Sequence, residues 1–165
     1  MEIRNLDTFL DYFGQIHQRT MKVVRCIPPD KVDWSFRQGK FTLGDLARHI
    51  ATAKRYIFAE SLQGNPSRYG GCGRELAPSY DEIISLSETL HSESREIISR
   101  LTDLNRKCRT PEGVPITTWK WMRAMVEHEA HHRGQVYIYL ALLEVPTPPL
   151  YGLTSEQVME RSVTT

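Results

Sequence analysis

The sequence carries little net charge, because 21 lysines and arginines are offset by 20 aspartates and glutamates, which leaves +1 with histidine neutral. Recognition of a nucleic-acid backbone relies on clustered positive charge, and this balance does not supply it. We therefore expect no nucleic-acid partner.

Long apolar runs are also lacking. There is no stretch of 18 apolar residues, so we expect no membrane-spanning helix and no membrane partner. The N-terminal segment MEIRNLDTFLDYF has acidic residues within its apolar part and no small-residue cleavage site. This pattern is typical of the start of a helix and not of a signal peptide.

Cysteine is scarce, and Cys26, Cys72 and Cys108 are odd in number, widely spaced and without a C-x-x-C pair. Such usage argues against a disulfide framework and favours a reducing, cytoplasmic location. The hydrophobic share of 40% and the charged share of 25% are ordinary for a globular protein. A chain of 165 residues can bury one core without cross-links, so we expect a single domain over residues 1–165.

Four long helical patterns follow along the chain, with no convincing strand pattern, which predicts an all-α fold. The first predicted helix runs from about Leu6 to Ile27 and stops at two prolines. The second begins with a capping box formed by Thr42 and Asp45 and continues to about Leu62.

The third predicted helix begins with a second capping pattern, Ser79 to Glu82, and carries apolar residues as far as Leu101. The fourth runs from Thr117 to Val145, and a last short turn begins at Thr154. The connections over 28–41, 64–78 and 105–116 are long for a helical bundle, so a simple series of helical hairpins is not required.

The strongest chemical signal is the pair His128 and His132. Residues four apart lie side by side on a helix, so the two imidazoles can share one metal ion. His49 is the best third ligand, because Leu46 and Ala53 flank it at helical spacing. Three nitrogen ligands with an open fourth position describe a catalytic metal site.

The other histidines and Cys72 have plainer interpretations. His17 lies on the apolar stripe of the first helix and reads as a core residue or a neighbour of the site. His131 is rotated away from His128 and is a candidate to support a ligand. His91 lies in a polar stretch and is expected to be solvated, whereas Cys72 reads as a packed residue or a reactive thiol.

Residues 128–132 also match H-E-x-x-H, the signature of zinc metalloproteases in which the glutamate is the general base. The residues that follow lack the third ligand of either main protease class, and the chain lacks a strand for a substrate cleft. Peptide hydrolysis is therefore disfavoured, although Glu129 stays a candidate catalytic residue as a general base or as support for a ligand.

The sequence resembles the DinB/YfiT-like family of bacterial metalloproteins. The resemblance rests on Leu43-Gly44-Asp45-Leu46-Ala47-Arg48-His49-Ile50 and on His128-x-x-x-His132-Arg133-Gly134-Gln135, and it covers nearly the whole chain. It implies a four-helix bundle of up-down-down-up topology, a frequent homodimer, and zinc or nickel held by His49, His128 and His132.

The same resemblance implies a choice of activities. Some relatives are S-transferases that use a low-molecular-weight thiol such as bacillithiol, and a metal ion converts such a thiol into a nucleophile near neutral pH. The leading hypothesis is therefore a metal-dependent transfer of a small thiol to an electrophile. A metal-dependent hydrolase that uses metal-bound hydroxide and a non-catalytic metal- or ligand-binding protein are the alternatives.

Overall fold

The computed structural model describes residues 2–163 of the chain. Most of these residues lie in helices, which confirms the predicted all-α class. The helices are α1 (Leu6–Val24), α2 (Leu43–Ala53), α3 (Glu60–Gln63), α4 (Tyr80–Ser99), α5 (Thr118–Leu142) and α6 (Ser155–Val163).

A π-helical segment, Lys54–Ala59, joins α2 to α3 without a break, so the second predicted helix is one continuous rod. The rod ends at Gly64, whose φ of +90° is a left-handed conformation that glycine adopts without steric cost. Single 3₁₀ turns, Pro29–Lys31 and Arg74–Leu76, lie in the connections on either side of the rod.

Both predicted capping boxes are confirmed. The Thr42 hydroxyl accepts from the Asp45 amide at 3.0 Å, while the Asp45 carboxylate accepts from the Thr42 amide at 2.9 Å. Ser79 and Glu82 form the same reciprocal pair at the start of α4. Each box satisfies amide groups that have no partner inside the first helical turn, so it fixes where the helix begins.

Contacts at both ends of α1 and α4 define their relative direction. Arg95 of α4 donates to the carbonyl of Leu10 at 2.7 Å, and at the opposite end the Tyr80 hydroxyl donates to the carbonyl of Arg25 at 3.1 Å. The two helices are therefore antiparallel.

The direction of α2 follows in the same way. Arg48 donates to the carbonyl of Ala77 just before α4 begins, and Arg55, further along, pairs with Glu93 further along α4. The α2 rod is therefore parallel to α4 and opposite to α1.

On the other side of the rod, α5 runs antiparallel to it. His49 contacts His132, whereas Phe58, two turns later, stacks on the earlier Trp121 at 4.5 Å between ring centroids. The resulting order is up-down-down-up, as the family resemblance implied. A long connection over 64–79 follows from it, because two adjacent parallel helices force the chain to return along the bundle.

A small β-hairpin is the main departure from the predicted fold. Strand β1 (Lys107–Arg109) pairs antiparallel with β2 (Pro115–Thr117), with Cys108 opposite Ile116. The expectation that the chain has no strand was wrong here, because three-residue strands are too short to show an alternating pattern. The hairpin leads directly into α5.

The bundle core has two apolar clusters, one towards each end. The first includes Val24, Leu46 and Leu140, and the second includes Phe13, Leu62 and Met125. Polar side chains are buried between the two clusters. The candidate site and its neighbours lie in this middle part of the bundle. No helix within residues 2–163 is long and apolar enough to cross a membrane.

Candidate metal centre

The first turns of α2 are anchored on both sides, and this anchoring holds His49 in place. Gly44 lies so close to the preceding connection that a Cβ atom there would be 2.7 Å from Val32 Cγ1. Arg48 is fully buried, pairs with Asp45 at 2.6 Å, and donates to the carbonyl of Cys72 at 2.9 Å. The Gly-Asp-Leu-Ala-Arg-His pattern therefore supplies a glycine for close packing and an arginine that ties down the following loop.

Three histidine side chains from two helices converge at one point. His49 Nε2 lies 3.2 Å from His128 Nε2 and 3.1 Å from His132 Nε2, and all three ring nitrogens lie within 4.8 Å of one another. Within the described residues they are the one set of three or more potential metal-ligating side chains that meets this spacing. The structure therefore brings together the three residues that the sequence singled out.

The spacing between the nitrogens fits a shared ion. Ligands at roughly 2.0–2.1 Å from a tetrahedral zinc ion lie about 3.3 Å apart, close to the 3.1 Å and 3.2 Å between His49 and the other two nitrogens. Lone pairs that point at one another repel unless a proton or a cation lies between them. One divalent cation can satisfy all three nitrogens at once, which a single proton cannot.

Hydrogen bonds on the far side of two rings direct their Nε2 atoms to the centre. His132 Nδ1 lies 2.7 Å from Gln135 Oε1, a carbonyl oxygen that only accepts, so Nδ1 carries the proton and Nε2 keeps its lone pair. His49 Nδ1 lies 2.7 Å from the Tyr69 hydroxyl. Such partners set the tautomer and ring orientation of metal-binding histidines.

The environment also favours uncharged imidazoles. Burial, followed by repulsion from His132, lowers the pKa of His49 to about 4. Burial, followed by repulsion from His132 and His49, lowers the pKa of His128 to about 3. Neutral imidazole is the form that binds a metal ion.

Aromatic side chains lie next to two of the three histidines. The Phe58 ring lies 5.3 Å from the ring of His128, and the Phe41 ring lies 5.7 Å from that of His49. The histidines themselves are half-buried at the edge of the bundle. The site therefore combines nitrogen donors with an apolar surround and remains open on one side.

Glu129 faces a different direction from the histidine beside it. It is 1% exposed, and its Oε2 lies 2.9 Å from the ammonium nitrogen of Lys54, which is itself 3% exposed. No described residue forms a hydrogen bond with Glu129 Oε1. The candidate base is thus half of a buried ion pair that joins the π-helical segment to α5.

His17 and His91 form a stacked pair beside Lys54, at 3.8 Å between ring centroids. His17 Nδ1 lies 3.4 Å from Lys54 Nζ, and His17 Nε2 lies 2.9 Å from Glu88. The expectation that His91 is solvated was wrong, because its ring is buried between helices. We call Lys54, Glu129, His17 and His91 the inner polar cluster; it does not include the three convergent histidines.

The remaining residues singled out from the sequence, His131 and Cys72, lie outside the set of three convergent histidines. His131 is exposed and lies 3.4 Å from Gln135 Nε2, behind the side chain that contacts His132. Cys72 is buried, and burial raises the pKa of its thiol, which favours a packed residue over a reactive one. Sequence reasoning missed Tyr69 and Lys54, because neither stands at a recognisable spacing from a histidine.

Comparison with known families settles the relationship of this chain. The family model of the DinB superfamily matches residues 12–136, which is more than half of the chain and includes all three convergent histidines. This protein belongs to the DinB superfamily. Among curated proteins, none matches it significantly.

Solved structures of proteins described as DinB-like have the same fold. A DinB-like protein from Bacillus cereus is 21% identical, with a TM-score of 0.73 over 87% of this chain and 95% of the other. The DinB-like protein YjoA from Bacillus subtilis is 20% identical, with a TM-score of 0.71 over 87% and 96%.

A third neighbour is YfiT from Bacillus subtilis, described as a probable metal-dependent hydrolase with an unusual four-helix bundle topology. It is 16% identical, with a TM-score of 0.67 over 88% of this chain and 93% of the other. At these identities the likeness concerns the fold, and the superfamily membership rests on the family model.

Proposed function

We propose that this DinB-superfamily protein binds one divalent metal ion, zinc or nickel, through His49, His128 and His132, and uses it to activate a low-molecular-weight thiol toward an electrophile. The observation that carries the proposal is the convergence of three Nε2 atoms from two antiparallel helices at a spacing suited to one ion. Nitrogen donors suit both metals.

The ligand count leaves room for a small molecule. Within residues 2–163 no cysteine or carboxylate joins the three histidines as a fourth metal-ligating group. Three protein ligands with one open position are the arrangement of catalytic zinc sites, whereas structural sites are closed by four. A bound divalent ion would supply the positive charge that lowers the pKa of a coordinated thiol.

The protein groups then have defined tasks. Tyr69 and Gln135 would orient His49 and His132, and Phe41 and Phe58 would give part of the site an apolar surface. In such a transfer the thiol sulfur would form the bond to the electrophilic carbon, the leaving group would depart with its electron pair, and the thiol proton would pass to solvent. No protein base is needed, in keeping with the engagement of Glu129 by Lys54.

The experiment is a conjugation assay on metal-loaded protein with a bimane electrophile and a set of thiols: bacillithiol, coenzyme A, cysteine and glutathione. We expect conjugation with at least one thiol, and its loss in His128→Ala. Turnover with none of them would contradict thiol transfer. Metal-dependent stability in the same preparation would then favour a non-catalytic metal-binding protein.

A metal-dependent hydrolase is the second candidate, and the observation that favours it is the fold shared with YfiT. In that case water is the nucleophile, and the assignment of Glu129 as the general base stays a prediction. Glu129→Gln should abolish cleavage of activated esters while the metal content is unchanged. Full ester cleavage in this variant would exclude Glu129 as the base.

Two further proposals concern the cellular location and the oligomeric state of the protein. The three cysteines are free thiols, which supports a reducing, cytoplasmic location. The family resemblance supports a homodimer, with a small thiol and an electrophile as its molecular partners. Light scattering on the purified protein checks the dimer, and a monomer mass at micromolar concentration would contradict it.

A further inference from the structure

The C-terminal helix α6 is well capped but packs on no surface of its own chain. The Thr154 amide donates to Gln157 Oε1 at 3.0 Å, and the Gln157 amide donates to the Thr154 hydroxyl oxygen at 3.3 Å, which is a capping box. All side chains over residues 155–162 are nevertheless exposed. A helix of nine residues is marginal in water by itself, because helices in proteins gain most of their stability from packing. The helix therefore needs a packing partner.

One side of α6 is apolar. Val158 and Met159 are 49% and 65% exposed, and Leu153, just before the cap, is 36% exposed. Ser155 and Ser162 lie one turn before and after them on the same side of the helix. The apolar side is thus a short ridge with small residues at both ends, and its methionine can adapt to an irregular surface.

A second exposed apolar surface lies on the bundle itself. Phe36 and Phe41 are 51% and 43% exposed, and Ile138 and Leu142 of α5 are 61% and 58% exposed. The first three line a cavity of about 380 Å³ where α5 meets α2 and the connection before it, and Leu142 lies one turn beyond Ile138. We call these four residues the apolar patch. Clustered exposed apolar groups of this kind mark binding surfaces.

The two surfaces are bordered by opposite charges. Lys40 lines the cavity and Arg37 lies in the same connection, and within residues 2–163 neither has an acidic group at ion-pair distance. The polar side of α6 carries Glu156 and Glu160, against the single base Arg161. Opposite charges around two apolar surfaces favour their association and fix their register.

The chain directs α6 away from its own patch. The Tyr137 hydroxyl donates to the carbonyl of Pro148 at 2.8 Å, and the Arg19 guanidinium lies 5.1 Å from the centre of the Tyr151 ring. The connection after α5 therefore runs towards α1, whereas the patch lies on the side of α5 that faces α2. A second copy of the chain offers both surfaces, and two-fold symmetry uses each helix and each patch once.

We propose that α6 of one chain packs on the apolar patch of a second copy, and that the reciprocal contact closes the homodimer. The inference rests on the homodimer proposed above and identifies its interface. Val158 and Met159 enter the cavity beside Ile138, and the acidic side of α6 faces the border that carries Lys40.

Two double variants each remove one half of the contact. Val158→Ser with Met159→Ser alters the helix, and Ile138→Ser with Leu142→Ser alters the patch; all four side chains are about half exposed or more, so the bundle core is kept. Each contact occurs twice in a two-fold dimer. Each double variant should therefore raise the dimer dissociation constant at least about a hundredfold in sedimentation equilibrium. Val114→Ser, 53% exposed in the hairpin loop, is the matched control and should keep the wild-type constant.

Mixing the two double variants distinguishes the reciprocal contact from other dimers. A mixed pair keeps one intact contact, between the unaltered helix of one chain and the unaltered patch of the other. It should therefore dimerise roughly tenfold more tightly than either double variant alone. A dimer formed by two helices, or by two patches, would leave one of the double variants at wild-type affinity.

The outcomes separate this interface from the other proposals. A wild-type monomer at micromolar concentration would overturn the homodimer and its interface together. A wild-type dimer that either double variant leaves intact, or a mixture no tighter than its components, would overturn the interface while the homodimer stands. Metal content, measured in the same preparations, tests the histidine centre separately. Loss of the dimer in both double variants, its recovery on mixing and an unaffected Val114→Ser would support the assignment.

Discussion

Replacing Lys54 with methionine should be among the most destabilising single substitutions in this protein. Lys54 Nζ lies 2.9 Å from Glu129 Oε2, and the two side chains are 3% and 2% exposed. Methionine has a similar length and fills the same space, so the packing is kept. What the substitution removes is the only cation within ion-pair distance of the Glu129 carboxylate among the described residues.

The expected loss can be estimated from burial. Removing one partner of a buried ion pair typically costs about 3–5 kcal/mol, because the other charge stays away from water without compensation. Domains of this size are stable by roughly 5–15 kcal/mol in total, so the change is a large share of the free energy of unfolding. Replacing both partners with apolar residues of similar volume is often neutral or stabilising.

Urea denaturation of four proteins provides the assay: the wild type, Lys54→Met, Glu129→Met and the double variant. We expect each single variant to lose several kcal/mol and the double variant to recover most of that loss. Single variants that lose less than about 1 kcal/mol would refute the reasoning. So would a double variant whose loss equals the sum of the single losses, because additivity would mean that the two charges do not interact.

Three further predictions follow from individual contacts. Burial, followed by the charge of Lys54, lowers the pKa of His91 to about 2, so below pH 6.5 the unfolded state takes up a proton that the native state resists. In urea titrations, the stability lost between pH 6.5 and pH 4.5 should therefore be about 2–3 kcal/mol smaller in His91→Gln than in the wild type, and equal losses would contradict the burial of a neutral His91. Tyr69→Phe removes the hydroxyl that orients His49 and should weaken zinc affinity about tenfold in chelator competition, and unchanged affinity would exclude that role. Gly44→Ala places a Cβ atom 2.7 Å from Val32 Cγ1 and should cost about 1–3 kcal/mol, measured by thermal unfolding; an unchanged Tm would show that the contact is not tight.

Much of the bundle could be predicted because its signals are local. Capping boxes lie within four residues, and the reciprocal contacts of Thr42 with Asp45 show that the local pattern determines where α2 begins. Helix ends were less accurate. The fourth helix ends at Leu142 and not at Val145, because Glu144 adopts a left-handed conformation with φ of +56°. No composition signal marks that position.

The histidine site was partly predictable for the same reason. The spacing of His128 and His132 is a property of one helix, whereas their depth depends on the whole bundle. The most buried stripe of α5 carries Glu129 and Arg133, while the histidines lie half-buried beside it.

The inner polar cluster could not be predicted, because its contacts are all between separate helices. His91 has polar neighbours in sequence, yet Ser94 is fully buried with it. Its burial depends on α1, which brings His17 against its ring. From the sequence alone, Lys54 would similarly be predicted to be a surface lysine. The antiparallel packing of α5 places Glu129 opposite it, and this contact explains its burial. Long-range pairing of this kind has no signature in a single sequence.

The most direct test of the proposed centre is the metal content of protein purified without a histidine tag, measured by plasma mass spectrometry. We expect close to one zinc or nickel ion per chain, lost in His128→Ala and in His49→Ala. His131→Ala is the matched control and should keep its metal, since His131 lies on the same helix but outside the convergent set. A wild-type protein without bound metal, which also takes up no divalent ion on titration, would contradict the metal centre.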